Sequence, residues 1–375
     1  MQEYLKHYNL RITALSPIHV GSGQTIGKKE YIQIGGPKKP VIIPDMNKMF
    51  LTLRTLRREK AYEDFMLNEK VLGLGQWLLN QRITESTIDS FKNYSMDPGD
   101  AFVRLNSGKS ATPKEIVSFT KDAYLNPYIP GSTIKGMIRN ALLCYRVHNA
   151  PYRYRRQIDE LQRAVGMGGK PKTFLEKETK NLENAVFNTL ERDEKHVENA
   201  VNSIMSGLIV SDSKPIDNGK LILAQKIDLS LRGEEKPIPL LREALKPGTQ
   251  IELELTVDTR LCDVTIEEIL NSLDFFNQIS FDSFYSRFGR GSKAKGTVWI
   301  GGGTGFLSKT ILYPVYGDKA VRIADKAFQA TIGKNYDVHK HFKDVQNGVA
   351  PHICKCTRFA GKLYDMGMGK IEVIN

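Results

Sequence analysis

Residues 128–143 read Tyr128-Ile129-Pro130-Gly131-Ser132-Thr133-Ile134-Lys135-Gly136-Met137-Ile138-Arg139-Asn140-Ala141-Leu142-Leu143. Pro130-Gly131 is a turn signal, and Ser132 or Thr133 can cap a following helix by accepting a free backbone N–H. Ile134, Met137, Ile138, Ala141, Leu142 and Tyr145 then recur at the spacing of one apolar helix face. Lys135, Arg139 and Arg146 fall on other faces. Two readings fit. One is a phosphate seat, where a helix N-terminus with unpaired N–H groups meets two or three cations. The other is a well-capped core helix with solvated basic residues. A P-loop is excluded, because Lys135 precedes Gly136 and no Gly-Lys-Ser/Thr follows.

Working outward, Tyr8, Leu10, Ile12 and Ala14 alternate with polar residues, the period of an amphipathic strand. This strand runs into Ser16-Pro17-Ile18-His19-Val20-Gly21-Ser22-Gly23, a loop whose glycines let backbone approach a ligand closely. His19 can serve as a general base, as an RNA contact, or as a strut bonded to backbone. No catalytic partner is evident beside it in sequence, so the last two are preferred. Val41–Ile43 reads as a short strand, Asp45 as the cap of a helix to about Lys60, residues 62–92 as helical and 93–113 as a loop. A strand near Glu115–Lys121 leads to the opening helix. Tyr152-Arg153-Tyr154-Arg155-Arg156 interleaves aromatics with cations, which suits base stacking or an ordinary helix start. Residues 173–204 read as an exposed helical segment.

Composition shifts near Gly207. Leu208–Ser213, Leu221–Leu229 and Gln250–Val257 read as strands and Thr265–Phe276 as a helix. The simplest architecture is α+β in two units of similar plan, residues 1–206 and 207–375. Arg287-Phe288-Gly289-Arg290-Gly291-Ser292-Lys293-Ala294-Lys295-Gly296 sets four cations and three glycines around one aromatic, a pattern suited to phosphate and base contact. Gly301-Gly302-Gly303-Thr304-Gly305 lacks the context of a dinucleotide site. His339, His341, His352, Cys354 and Cys356 are metal-capable types. The paired Cys-X-X-Cys knuckles of structural zinc are missing, and no metal or other cofactor is assigned.

The 375 residues carry 54 Lys+Arg against 42 Asp+Glu, a net charge of +12, with 41% hydrophobic and 26% charged residues. That balance belongs to a soluble globular chain with a polyanionic partner, most simply nucleic acid. No apolar run is long enough for a membrane span, and the four cysteines fit a reducing, cytoplasmic setting.

Taken in order, these motifs resemble the RAMP superfamily of CRISPR-associated RNA-binding proteins, nearly end to end. The resemblance rests on Leu15–Gly23, Tyr128–Gly136 and Leu208–Ser213. Leu241–Thr249, Arg287–Gly291 and Pro351-His352 before a basic strand are more similar to the fifth subunits of the Csm (type III-A) complex. The resemblance implies two tandem ferredoxin-like, RRM-type units with helical insertions and an RNA-facing glycine-rich loop. It implies a non-catalytic subunit that binds and caps the 3′ portion of the guide crRNA and supports its 3′-end maturation and complex assembly in antiviral defence. Implied partners are crRNA, target RNA, the repeating backbone subunit, a small helical subunit and recruited host nucleases. The positions matching the motifs, and so implied in RNA contact, are His19, Gly21, Ser132, Thr133, Lys135, Arg139, Arg287, Arg290, Lys293 and Lys295. The alternative is a metal-independent endoribonuclease of the same superfamily, with His19 as base and Lys135 or Arg139 stabilising charge on the phosphorane.

Overall fold

The computed structural model describes residues 4–68, 72–102, 115–168, 173–333 and 335–374. The strands are β1 (Leu5–Ala14), β2 (Gly21–Gly27), β3 (Val41–Pro44), β4 (Lys92–Met96), β5 (Glu115–Phe119), β6 (Leu208–Val210), β7 (Leu221–Ser230), β8 (Glu235–Leu245), β9 (Gln250–Asp258), β10 (Thr297–Trp299), β11 (Ile353–Phe359), β12 (Lys362–Asp365) and β13 (Met368–Ile374). The helices are α1 (Met46–Thr55), α2 (Glu59–Leu67), α3 (Leu74–Asn80), α4 (Glu85–Ser90), α5 (Gly131–Asn149), α6 (Arg155–Met167), α7 (Glu176–Phe187), α8 (Ile266–Ser283), α9 (Leu312–Tyr316), α10 (Ala320–Ile332), α11 (Asn335–Val338) and α12 (Asp344–Asn347).

The alternation in β1 has the expected result: Leu10, Ile12 and Ala14 are buried, and the strand sits mid-sheet. A five-stranded sheet runs β10-β13-β1-β9-β6. Its pairings are antiparallel throughout, with Leu10 opposite Leu253 on one side and Val373 on the other. Helix α5 follows β1, β6 and β9 come next, and α8 precedes β13. The order β13-β1-β9-β6 with these two helices is the split βαβ plan of a ferredoxin-like unit. The second sheet, six strands in the order β12-β11-β7-β8-β5-β2, contains one parallel pair, β5 with β8. Both sheets take strands from each side of residue 206, so the α+β parts are interleaved along the chain. The physical reason is β1: both its edges are satisfied by strands from beyond residue 249.

Helices α1–α4 with the antiparallel β3-β4 pair that brackets them form an insertion with its own core, including Met49, Leu53, Trp77, Leu78 and Phe91. Asp45 caps α1 as expected, accepting from the N–H groups of Asn47 and Lys48. The stretch 62–92 is broken into α2, α3 and α4, and β4 occupies the start of the expected 93–113 loop; residues 103–113 lie outside the described residues. In 173–204 only α7 is a long helix. The chain beyond it is held irregular by buried Asn202, whose Oδ1 accepts from the N–H groups of Arg192 and Asp193. Of the basic loop 166–172, residues 169–172 lie outside the described residues. Among the described residues, no helix is long and apolar enough to cross a membrane.

Candidate RNA interface

Helix α5 starts at Gly131, and neither Ser132 nor Thr133 caps it. The backbone N–H of Gly131 instead donates to Asp212 Oδ1 at 2.8 Å, and the N–H of Ile129 to Ser213 Oγ at 2.9 Å. A Cβ at Gly131 would lie 2.2 Å from the carbonyl oxygen of Val210, so only glycine admits this crossing. The two motifs Tyr128–Gly136 and Leu208–Ser213 are thus one clip. A carboxylate thus sits at the helix N-terminus, where one of the two sequence readings set a phosphate. Ile134, Ile138, Ala141 and Leu142 are buried as their spacing predicts; Leu143, Cys144 and Val147 are buried as well, and α8 packs along the same helix through Phe275, whose ring lies 5.7 Å from that of Tyr145. Arg146 is held by Glu268 (2.8 and 3.1 Å) and Asp263 (3.0 Å) from the α8 side.

His19 is buried. Its Nδ1 lies 2.6 Å from the carbonyl oxygen of Glu243, and its own carbonyl accepts the N–H of Gly302 at 2.7 Å. Burial pushes the imidazole down to about 4, against the upward pull of the Glu243 bond. The ring is therefore neutral at pH 7 and one nitrogen is engaged with backbone, the strut geometry. A Cβ on Gly301, which has φ +78°, would lie 2.1 Å from the His19 carbonyl oxygen. The Gly301–Gly305 run, set aside in sequence as a nucleotide pocket, is needed because backbone packs on backbone. The Glu243 side chain is a second hub. It accepts from Tyr94 OH (2.6 Å), Phe119 N–H (2.7 Å) and Ser118 Oγ (3.2 Å), and pairs with Lys121.

In front of this clip lies a cleft of about 570 Å³, lined by Gly21, Thr133, Gly136, Asn140, Gly302 and Lys309 among others, with Arg139 at its edge. A neighbouring groove of about 740 Å³ carries Lys135, Arg139, Lys180 and Glu183. Glycine backbones on three sides and flanking cations make a surface that a phosphodiester backbone can approach closely. Asn140 lines this cleft, and its amide nitrogen is buried without a hydrogen-bond partner among the described residues. Arg139 reaches Glu183 at 2.7 Å and lies over the Phe187 ring. Lys135 is half-buried, and burial lowers its pKa. Ser132 is exposed.

The second glycine-and-cation loop does not line this cleft. Arg290 is paired with buried Asp365 at 2.8 Å and donates to the Leu363 carbonyl, while Gly291 N–H donates to the same carboxylate. Lys293 pairs with Asp282 at 2.7 Å and sits over the Phe281 ring. Arg287 donates to the Asn347 carbonyl. Lys295 is exposed, with no ion pair among the described residues. Tyr285, at the head of the loop, stacks on Trp299 with ring centroids 4.1 Å apart. Of the sequence candidates, Gly21, Thr133 and Arg139 line this cleft; Asn140, Gly302 and Lys309, not among those candidates, line it with them. The signal for the last two was the Gly301–Gly305 run.

The RAMP superfamily profile matches residues 11–349. The chain is 27% identical over 399 aligned residues to "CRISPR system Cms protein Csm5" of Mycobacterium tuberculosis, covering all of this chain and 99% of that protein. It is 30% identical over 319 residues to the protein of the same name from Streptococcus thermophilus, covering 83% and 82% of the two chains. Its fold is similar to a chain of a Csm–crRNA–target RNA ternary complex of the type III-A system (TM-score 0.63, 18% identity, 98% of this chain and 100% of that one). It is similar also to Csm5 of T. onnurineus (TM-score 0.59, 17% identity, 96% and 99%). The superfamily profile and these relatives place the chain in the RAMP superfamily and, within it, in the Csm5 family.

Proposed function

We propose that the chain is a subunit of a type III-A Csm effector complex. In this reading it binds and caps the 3′ portion of the guide crRNA, in the cytoplasm, and supports 3′-end maturation and assembly without cleaving RNA itself. The observation that carries it is the match over essentially the whole chain to proteins named Csm5. The cleft supports it, with Gly21, Thr133, Gly136, Asn140, Gly302 and Lys309 offering close backbone approach, a free amide donor and a cation. Arg139 joins them by trading its Glu183 partner for phosphate, and Lys135 extends the basic edge along the neighbouring groove. The two sheets act as the paired ferredoxin-like units of the fold, interleaved in sequence. Target RNA, the backbone subunit, the small helical subunit and recruited host nucleases are its partners.

His19 acts as a positioning residue in this reading. Its buried, neutral ring anchors the loop to the Glu243 carbonyl, so that its backbone carbonyl can brace the Gly301-Gly302 wall of the cleft. The test is reconstitution of the complex on guides shortened stepwise from the 3′ end. The chain should drop out on the shorter guides while the backbone subunits stay bound. Retention of the chain whatever the 3′ length overturns the proposal.

A further inference from the structure

The metal-capable residues near the C-terminus separate into two clusters in three dimensions. Cys354, Cys356 and Asp365 form one, and His341, Asp344 and His352 the other; in each, three ligand atoms lie within 4.8 Å of one another. The cysteine cluster is fully enclosed, and its carboxylate is already neutralised by Arg290. A cation added there would face a guanidinium. Among the described residues, no lysine or arginine pairs with the carboxylate of the histidine cluster.

We propose that His341, Asp344 and His352 bind a zinc-type divalent cation. His341 lies in a single turn just before α12, Asp344 begins α12, and His352 immediately precedes β11. The Nδ1 of His341 lies 2.9 Å from one oxygen of Asp344, and the Nδ1 of His352 contacts the other. The Asp344 side chain is fully buried, and among the described residues its ion-pair partners are these two histidines. A buried carboxylate needs positive charge beside it. A divalent ion held between the carboxylate and the two imidazoles supplies it directly. Two imidazole nitrogens and one carboxylate oxygen are a zinc donor set. In a tetrahedral site with bonds of 2.0–2.1 Å, ligand atoms lie about 3.3 Å apart. The His341 nitrogen, 2.9 Å from one carboxylate oxygen, is already near that spacing, and the His352 contact to the other oxygen would open to admit the ion. The two histidine side chains keep 11% and 16% exposure, an entry path and room for water in the fourth position. Exposed His339, with its ring 6.2 Å from that of His341, is the alternative fourth ligand. The ion would fasten the helical segment around α11 and α12 to strand β11, so its binding energy would add to the stability of this region.

The probe is zinc alone. Full-length chain, purified without a metal-affinity tag, is stripped with chelator, desalted and reloaded with zinc or cobalt. Metal content, the cobalt visible spectrum and thermal unfolding are then read. The proposal expects stoichiometric zinc after desalting, a tetrahedral cobalt spectrum and a raised Tm. His352→Ala loses the metal. His352→Cys keeps it and adds a thiolate-to-cobalt band in the near ultraviolet, whereas His352→Asn, which retains only a hydrogen-bond donor to Asp344, does not keep it. If His352→Ala fails to fold, by circular dichroism, the thiolate band of His352→Cys decides. Absence of stoichiometric zinc in the folded wild-type chain overturns the proposal, as does metal binding unchanged by all three substitutions. A Tm that moves with pH and not with zinc assigns the triad to a shared proton instead.

Discussion

Two regions of this molecule look alike as strings of glycine and cations and differ as surfaces. The first is the junction of Ser16–Gly23, the start of α5 and Gly301-Gly302. It opens on a cleft with an unpartnered Asn140 amide and exposed Lys309. The second is Arg287–Gly296. There Arg290 is bound to Asp365, Lys293 to Asp282 and Arg287 to a backbone carbonyl. The acids that claim these cations lie up to 75 residues away in sequence. A cation claimed by an acid must give that partner up before it can meet phosphate, as Arg139 would have to with Glu183. Here the first region is built for approach and the second mainly for holding β10, β12 and the segment after α8 together.

The largest expected effect tests the second region. Arg290→Ala leaves Asp365 buried without its cation and should destabilise the chain by roughly 3–5 kcal/mol, read as a lower urea midpoint. If the variant keeps full stability but loses RNA affinity, Arg290 belongs with the first region after all.

The next effect sharpens the role of His19. The folded chain holds its ring neutral down to about pH 4, while an unperturbed histidine protonates near 6.5. The unfolded chain therefore binds more protons between these values. This contribution is fully present above pH 6.5 and is lost as pH falls toward 4, by about 3 kcal/mol. His19→Gln keeps an N–H donor for the Glu243 carbonyl and has nothing to titrate. Its stability should fall less steeply than wild type from pH 6.5 to 4 in parallel urea titrations; identical slopes would refute the buried-strut account.

The smallest effect on stability falls on Lys309. Lys309→Ala should leave stability within about 0.5 kcal/mol. Each phosphate contact it makes should flatten the log-affinity against log-salt slope by about 0.7 for single-stranded RNA. An unchanged slope for Lys309→Ala beside a flattened one for Arg287→Ala would reverse the comparison between the two loops.

Much of this was legible in the sequence, for physical reasons that can be named. The period of Leu10, Ile12 and Ala14 and the apolar face of α5 report burial directly, because a strand or helix that packs on one side must repeat its apolar residues. Asp45 was legible as a cap because capping is local. The capping of α5 was not. Its acceptor, Asp212, comes from 81 residues away and displaces Ser132 and Thr133 from the role. The 1–206 and 207–375 division followed a composition shift, whereas strand pairing joins β1 to β13 across the whole chain. Strand β8 carries Pro237 and Pro239, which cannot donate to a ladder and so mask a strand in sequence; the β7-β8 register is irregular beside them, between Gln225 and Ile227. Of the site, the glycines were visible and the charge balance was not, since Glu183, Asp365 and Asp282 are paired with their cations only by the fold.

The most direct test of the central claim uses the purified chain and one end-labelled, guide-length single-stranded RNA in magnesium-free buffer. Each sample is divided between a native and a denaturing gel. The account predicts a native shift with intact RNA on the denaturing gel, in wild type and in His19→Gln alike. Discrete cleavage products that disappear in His19→Gln would contradict it and make the chain a nuclease.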